Sequence, residues 1–269
     1  MIDPAGLGTA SQVLSVKYAE RQVRRGEVFH DYASYGLPDD TLDMDYNFWV
    51  IRDADGLTLV DTGYDVAARD WLGEIPVTSP PECLRLLEIA PASVNRVITS
   101  HFHYDHIGYL GLFSSAEVVS GAAEYDYWFA KRAAGALDGE FTTEADLAEV
   151  ERAQREGRLR LVRDAERVSD AVAVQQVGGH CPGELLVLVR AQARPLLLAS
   201  DAAHFYEQLE HEWPFFAFTD LDEMRRALAL LNQLAERFDA TVVPGHDART
   251  RQRFPPLPGP AGSVAVVLG

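Results

Sequence analysis

One short segment, residues 100–108, constrains the fold of this chain more than any other. It holds three of the eight histidines and one aspartate within six residues. The apolar, β-branched run at residues 94–98 directly precedes it and predicts a buried strand. The cluster therefore lies where a strand ends, and Gly108 allows the chain to turn. Imidazoles and a carboxylate that converge at a strand end predict a transition-metal site, which makes a polar loop facing water the weaker interpretation.

The spacing within this segment predicts two metal ions rather than one. His101 and His103 are two positions apart, so in extended chain both side chains point the same way and can share one ion. Asp105 and His106 follow as the chain turns and can reach a second ion, which in two-metal hydrolytic sites lies about 3.5–4 Å from the first. One motif cannot complete both coordination shells, so further ligands must come from downstream. Three residues that follow apolar runs or sit at glycine-containing turns are candidates: His180, Asp201 and His246.

Four short motifs occur along the chain in this order: His-Phe-His-Tyr-Asp-His at 101–106, Gly-His-Cys-Pro-Gly at 179–183, Ser-Asp-Ala at 200–202 and Pro-Gly-His-Asp at 244–247. Together they resemble the metallo-β-lactamase-fold hydrolases, and within that family the N-acyl homoserine lactonase-like branch. The resemblance covers the chain from about residue 40 to 250. It implies an α/β fold, a four-layer αβ/βα sandwich of two mixed β-sheets flanked by helices. It also implies two divalent metal ions, zinc first, with iron, manganese or cobalt as alternatives.

The resemblance assigns a role to each candidate ligand. Three histidines bind the first metal, an aspartate and two histidines bind the second, and a further aspartate bridges both. In this order these residues are His101, His103 and His180; Asp105, His106 and His246; and Asp201. Asp61, in an Asp-Thr-Gly element, is expected to support the histidine loop from behind rather than bind metal. A cap on a following helix is the competing explanation for Asp61.

Opening of a lactone ring is the activity that the resemblance implies. Hydroxide held between the metals would attack an N-acyl homoserine lactone or a related lactone, and Asp105 would accept and pass on its proton. Relatives usually carry a tyrosine three residues after the bridging aspartate. Here that position is His204, with Tyr206 two residues further on, so both are candidate catalytic residues. Glu184 likewise stands where relatives often have histidine. These departures leave the substrate open, and hydrolysis of another ester or thioester, as by a glyoxalase II-like enzyme, is the alternative.

The charge balance limits the partners of this chain. Its 269 residues carry 24 Lys and Arg against 41 Asp and Glu, a formal net charge of −17. Nucleic-acid binding relies on cationic side chains, so we expect a small-molecule substrate and no nucleic acid. The apolar runs are too short for a membrane span, the N-terminus lacks the pattern of a signal peptide, and the two cysteines form no disulfide framework. These features predict a cytoplasmic protein without membrane contact; a homodimer is left open.

A single domain over residues 1–269 is expected, with a helical insertion at 134–160 and an extended C-terminal tail at 250–269. Within the insertion, the charged stretch 141–158, capped by Thr143, favours a solvated surface helix; a cover over the site or a dimer contact is the alternative. Other predicted elements are a hairpin at 46–60, helical stretches interrupted by prolines at 65–92, helices at 122–132 and 220–238, and strands at 13–18, 116–119, 159–162, 171–177, 185–189, 196–199 and 241–243.

Three loops, at 30–45, 122–160 and 204–218, are expected to build the substrate pocket. Their aromatic and apolar side chains are candidate pocket walls, with ordinary core packing as the alternative for each. These residues are Tyr32, Tyr35, Leu37, Tyr127, Trp128, His211, Trp213, Phe215 and Phe216. Cys181, next to a ligand histidine, is expected to pack rather than react.

Overall fold

The structure, a computed structural model, describes residues 1–65 and 75–269. In these residues twelve strands form two β-sheets, one of seven strands and one of five. The strands are β1 Gln12–Arg24, β2 Thr41–Asp53, β3 Gly56–Val60, β4 Arg96–Ile98, β5 Glu117–Gly121, β6 Leu159–Val162, β7 Ala165–Arg167, β8 Val172–Val177, β9 Glu184–Arg190, β10 Pro195–Ser200, β11 Thr241–Pro244 and β12 Ala265–Val267.

Eight α-helices connect or cover these strands in the same part of the chain. They are α1 Arg25–Val28, α2 Pro80–Leu86, α3 Tyr104–Ile107, α4 Ala122–Ala133, α5 Glu144–Arg155, α6 Tyr206–His211, α7 Leu221–Phe238 and α8 Thr250–Arg253. Among the described residues no helix combines the length and the apolar character that crossing a membrane requires. Part of the helical stretch predicted at 65–92 lies outside the described residues, and α2 is the α-helix within the described part.

Both sheets are mixed, as predicted. The seven-stranded sheet has the order β12-β1-β2-β3-β4-β5-β6, antiparallel from β12 to β3 and parallel from β3 to β6. The five-stranded sheet has the order β11-β10-β9-β8-β7, in which only β10 and β11 are parallel. The β2–β3 hairpin and strands β6, β8, β9, β10 and β11 lie where the apolar runs predicted them, whereas β7 was not predicted.

The two sheets face each other across an apolar core. Trp49, Ile98 and Val119 of the seven-stranded sheet share one buried cluster with Val187 and Leu198 of the five-stranded sheet. Because side chains alternate along a strand, each sheet has a second face, and the apolar residues on that face also need a cover. Helices α4 and α5 cover the first sheet and α7 covers the second. The layers therefore run helix, sheet, sheet, helix, which confirms the predicted fold class.

Helix α7 forms where the sequence predicts it. Asp220 caps its N-terminus by accepting a hydrogen bond from the Glu223 N–H at 2.8 Å. Leu228, Leu231 and Leu234 recur at helical spacing and are buried against the five-stranded sheet. Each such side chain stabilises the fold by roughly 1.5–3 kcal/mol relative to an exposed position.

Helix α5 corrects one prediction about the 134–160 insertion. Thr143 does cap it, accepting from the Asp146 N–H, but the helix is not a solvated surface helix. Leu147, Val150 and Ala153 lie on one face and are at most 1% exposed within the main core. Three apolar residues at a spacing of three are enough to anchor a helix whose remaining faces are charged.

The C-terminal segment corrects a second prediction. Residues 250–269 are not an extended tail, because they form α8, a 3-10 helix at Pro260–Ser263 and strand β12. Strand β12 pairs antiparallel with β1, with Leu14 opposite Val267, and so completes the edge of the seven-stranded sheet. Pairing covers backbone groups that an open edge would expose.

Candidate metal centre

The topology brings the predicted ligands to one place because parallel strands end at the same edge. Asp61 follows β3 and the histidine loop follows β4, its parallel neighbour. Asp201 follows β10, and His246 lies just after the parallel strand β11. Ligand sites in α/β proteins form at such carboxyl ends. All seven predicted ligands converge between the two sheets and are 0–7% exposed: His101, His103, Asp105, His106, His180, Asp201 and His246.

Three imidazoles form what we call the histidine half of the centre: His101, His103 and His180. The Nε2 of His180 lies 3.0 Å from the Nδ1 of His103 and 3.3 Å from the Oδ2 of Asp201. The Nε2 of His101 lies 3.7 Å from the same Oδ2. Three ring nitrogens and one carboxylate oxygen therefore surround a common point.

The remaining ligands form the acidic half: Asp105, His106 and His246. The Nε2 atoms of His246 and His106 lie 3.0 and 3.4 Å from the Oδ1 of Asp201. The Oδ2 of Asp105 lies 3.6 Å from the Nε2 of His106 and 3.9 Å from that of His246. Asp201 thus presents one oxygen to each half, which is the arrangement that a bridging carboxylate needs.

The unpaired atoms of the centre test whether metals fit it. The Nε2 atoms of His101, His106 and His246 and the Oδ1 of Asp201 are buried without a hydrogen-bond partner. Buried polar atoms are ordinarily paired, because leaving one unpaired costs several kcal/mol at most and about 1–3 kcal/mol typically. Imidazole nitrogens and carboxylate oxygens are ligands that zinc and related ions prefer. The residues present therefore fit two divalent cations.

Groups behind the ligands hold the rings in place. The Oδ2 of Asp61 lies 2.8 Å from the Nδ1 of His106, and its Oδ1 accepts from the Ser100 N–H at 2.7 Å. Carbonyl oxygens of Ala217 and Asp45 lie 2.9 and 2.8 Å from the Nδ1 atoms of two further ligands, His180 and His246. Such contacts orient the ring and direct the other nitrogen at the metal. Asp61 faces the histidine loop, as predicted.

The two halves differ in electrostatics. Burial lowers the pKa of every imidazole in the histidine half. Burial also opposes the charged rings of His106 and His246, but the carboxylates of Asp201 and Asp105 outweigh it and raise the pKa of both. Burial opposes ionisation of Asp201 as well, yet His204, His106 and His246 hold its pKa well below the usual range. The centre is therefore asymmetric before any metal binds.

A small chamber of about 80 Å³ opens onto the ligands. Aromatic side chains of Tyr46, Phe141, Phe215 and Phe216 line it together with Arg21. A larger groove of about 520 Å³ adjoins it and shares some of its walls. The groove adds Tyr127, Trp128, Lys131 and Phe218. Predicted pocket walls at 127, 128, 215 and 216 therefore do face the site.

His204 lies at the site and Tyr206 does not. The Nε2 of His204 is 3.0 Å from the Oδ2 of Asp201, and its ring stacks on Phe215 with centroids 3.4 Å apart. The hydroxyl of Tyr206 instead lies 3.4 Å from the Oγ1 of Thr250, and the guanidinium of Arg253 covers its ring. The prediction of a catalytic Tyr206 is corrected, because β10 and α6 turn that side chain away from the chamber.

Other predicted pocket residues pack elsewhere. Tyr35 stacks on Trp213 with centroids 4.9 Å apart, and Tyr32 meets the same ring edge-on. Both belong to an aromatic core cluster rather than to the chamber wall. Cys181 is buried with its Sγ 3.3 Å from the Nε2 of His103, close enough to belong to the same possible metal-binding group, so its packing role stays a prediction. Glu184 is also buried, and its Oε1 accepts from the Ala202 N–H at 2.7 Å, next to the bridging aspartate.

Two residues at the site escaped the sequence analysis. Glu124, in the first turn of α4, accepts from the Phe102 N–H at 2.8 Å and from the Nε1 of Trp128 at 2.7 Å. Its carboxylate thereby holds the loop between two ligand histidines. Arg21 of β1 lines the chamber beside Tyr46. Neither residue belongs to a motif, so only the packing of distant elements reveals them.

Comparison with known proteins identifies the family. The model of the Metallo-beta-lactamase superfamily matches residues 43–246, a range that includes every ligand described above. The chain belongs to the metallo-beta-lactamase superfamily. The resemblance inferred from the four motifs is confirmed.

Curated relatives within this superfamily carry a narrower name. The N-acyl homoserine lactonase AttM of Azorhizobium caulinodans is 31% identical over 240 residues, covering 79% of this chain and 85% of the relative. AttM of Rhizobium radiobacter is 29% identical over 231 residues, covering 78% and 85%. An N-acyl homoserine lactonase of Bacillus sp is 25% identical over 243 residues, covering 84% and 91%.

Solved structures share the fold. A quorum-quenching N-acyl homoserine lactone lactonase superposes with a TM-score of 0.75 at 20% identity, covering 92% of this chain and 96% of that one. An N-acyl homoserine lactone hydrolase with the product N-hexanoyl-L-homoserine at its catalytic metal centre gives 0.74 at 20% identity, covering 91% and 97%. The dizinc lactonase AidC gives 0.70 at 20% identity, covering 90% and 92%.

Proposed function

We propose that this superfamily member is a metal-dependent hydrolase that opens the ring of an N-acyl homoserine lactone or a related lactone. The observation that carries the proposal is the buried ligand cluster, in which Asp201 presents one oxygen to each half. Its curated relatives named above are N-acyl homoserine lactonases matched over 78–84% of the chain. A quorum-quenching role follows from that substrate class.

Each half of the centre would hold one ion, and zinc is the proposed metal, with iron, manganese or cobalt as alternatives. The ligands are His101, His103 and His180 for one ion, Asp105, His106 and His246 for the other, and Asp201 for both. When bound, two such ions supply an activated water molecule near neutral pH and polarise a carbonyl oxygen. A structural relative named above, AidC, is a dizinc lactonase.

The side chains of the chamber supply the remaining chemistry. The carboxylate of Asp105 lines the chamber and can accept a proton from water and return it to the leaving oxygen. Burial lowers the pKa of His204 to about 3, so its ring is neutral at pH 7. Its Nε2 lies 3.0 Å from the Oδ2 of Asp201, and a proton on that nitrogen can be donated either to Asp201 or, in its place, to a substrate oxygen in the chamber. His204 therefore takes the place of the tyrosine found in relatives.

The aromatic groove beside the chamber suits the acyl group of such a substrate. Phe141 and Phe216 line both cavities and are 41% and 47% exposed, which is unusual for large apolar side chains. Burial of an acyl chain against these rings would remove apolar surface of both partners from water. A neutral lactone also accords with an acidic chain that disfavours nucleic acid.

The test is proton release on a panel of acyl homoserine lactones and simple γ- and δ-lactones, with zinc-, cobalt- and manganese-loaded protein. Asp105→Asn is the control, because it removes the proton acceptor with little change in size. We expect turnover of lactones by the wild type and almost none by the control. Absence of turnover with two metals bound would overturn the proposal and favour the alternative ester or thioester hydrolysis, which S-lactoylglutathione tests.

Two further features of the proposal come from the sequence. A cytoplasmic location is proposed, and cell fractionation tests it. A homodimer is left open, and sedimentation of the metal-loaded protein decides between monomer and dimer.

A further inference from the structure

Arg21 is a cation at the metal chamber that the proposed chemistry does not use. It lies on β1 opposite Met44 of β2, and its side chain lines the chamber together with Tyr46 and Asp105. Arg21 also borders a second cavity of about 550 Å³, whose lining includes Asp43 and Asp45. Arg21 thus lines both the chamber and this second cavity.

The guanidinium of Arg21 lacks an acidic partner within the described residues. Its Nε is buried and makes no hydrogen bond. Neighbouring arginines behave differently, because Arg24 pairs with Asp39 and Arg25 pairs with Glu207, each at 2.8 Å. The chain has 41 acidic residues for 24 basic ones, so a shortage of carboxylates does not explain why this half-buried arginine has no acidic partner. A partly desolvated charge of this kind destabilises the protein unless a group of opposite charge pairs with it.

The surroundings indicate which group would complete it. Arg21 lines the same chamber as Asp105 and Asp201, so its charge acts within that chamber. A planar guanidinium matches a carboxylate with two parallel hydrogen bonds. Ring opening of a lactone turns a neutral ester into a carboxylate, beside the carboxylates of Asp105 and Asp201 that are already present.

We propose that Arg21 binds a carboxylate group of the ligand in the metal chamber. The inference rests on the proposed lactone hydrolysis for the identity of that ligand. The carboxylate has two sources, the acid that ring opening creates and an acid carried on the acyl group of the substrate. In both cases Arg21 distinguishes an anionic ligand from a neutral one of the same shape.

The experiment compares Arg21→Gln and Arg21→Lys with Arg24→Gln, all as full-length, metal-loaded protein with measured metal content. Arg24→Gln is the matched control, because it removes one charge from the same strand at a side chain that is 58% exposed and faces Asp39. Inhibition by N-hexanoyl-homoserine reports the product carboxylate. The ratio of kcat/KM for a lactone with a carboxylate at the end of its acyl chain to that for its neutral methyl ester reports a substrate carboxylate.

We expect Arg21→Gln to change one of these two quantities by about tenfold or more, the range of a hydrogen bond to a charged group. A higher inhibition constant for N-hexanoyl-homoserine indicates that Arg21 binds the product carboxylate. A lower kcat/KM ratio indicates that it binds a carboxylate on the acyl group of the substrate. We expect Arg21→Lys to give a value between those of wild type and Arg21→Gln, because lysine keeps the charge but cannot form the two parallel hydrogen bonds of a guanidinium. Changes no larger than those of Arg24→Gln in both quantities overturn the inference.

A binding measurement keeps this test separate from the proposed function. Calorimetry with hexanoate, a simple carboxylate, needs no turnover. If the protein opens no lactone, weaker hexanoate binding by Arg21→Gln than by Arg24→Gln still supports the inference. If the protein opens no lactone, equal hexanoate binding by both variants overturns it.

Discussion

The histidine half and the acidic half of the centre use the same kinds of element but differ in electrostatics. The histidine half holds three imidazoles whose pKa values are lowered by burial. In the acidic half, carboxylates raise the pKa values of both imidazoles, and Asp61 contacts one of them from behind. The support differs as well, since Glu124 holds the backbone of the histidine half. The difference predicts that the two proposed cation sites can be perturbed separately from outside the ligand set.

Removal of the shared ligand has the largest expected effect. Asp201→Asn keeps the size of the side chain but takes away the charge that both halves use. We expect loss of activity and of metal affinity by more than about 100-fold, beyond the range observed for residues behind the ligands. Metal content after dialysis and lactone turnover measure it. A variant that retains two metals and wild-type rate would refute a bridging Asp201.

Single ligands from each half should separate the two sites. His180→Ala removes a ligand of the histidine half, and His246→Ala removes one of the acidic half. We expect each variant to bind one equivalent of metal where the wild type binds two, with little turnover in either case. Elemental analysis of the purified proteins gives the stoichiometry. Loss of both metals in either variant would show that the halves do not bind independently.

Asp61→Asn should weaken the acidic half from behind. Asn tolerates the left-handed backbone that Asp61 adopts at φ 64°, so the substitution removes the charge and keeps the turn. Because the carboxylate then no longer supports His106, we expect metal affinity in the acidic half to fall about 10- to 100-fold. Competition with a chromophoric chelator measures the two binding constants. The single-ligand variants assign each binding constant to one half. If the constant of the acidic half is unchanged and that of the histidine half falls, the expectation is wrong.

Glu124→Gln should perturb the histidine half and has the smallest expected effect. The amide keeps one acceptor for the Phe102 N–H but places a donor toward the Gly183 N–H, which the carboxylate now meets at 3.4 Å. We expect a loss of about 1–3 kcal/mol in the free energy of unfolding of the metal-free protein at pH 4. Urea unfolding measures it, with Glu117→Gln, at a half-buried surface ion pair, as the control.

The pH dependence of the same variant follows from its pKa. Burial raises the pKa of Glu124 above its ordinary value, so the folded state binds more protons than the unfolded state between the two values. Wild-type stability therefore falls as pH rises through that window, a trend to which Gln contributes nothing. The stability gap between wild type and Glu124→Gln should narrow from pH 4 upward. An unchanged gap would show that Glu124 ionises as easily in the folded protein as in the unfolded one, and a gap that widens would show that it ionises more easily when folded.

How far the sequence alone could lead depends on whether the relevant information is local. His101, His103 and Asp105 stand within a few residues after an apolar run, so their spacing already predicts a metal site. Helix α7 shows a complete apolar stripe and a cap, and its position was predicted. Helix α5 has a narrower apolar stripe, and the burial of that stripe was not predicted. A short stripe on a charged helix does not reveal which element packs against it.

The sequence by itself predicted seven candidate ligands and, through the resemblance of its four motifs, the α/β architecture and the superfamily, because motif residues and their spacing are properties of contiguous chain. Only the tertiary structure decided which neighbours of the ligands face the chamber. It turns His204 toward the chamber and Tyr206 away from it, toward Thr250, although they are two residues apart. It also brings Arg21 from β1 to the same chamber. The direction of a side chain after a strand end depends on the elements packed around it, and no local pattern encodes that packing.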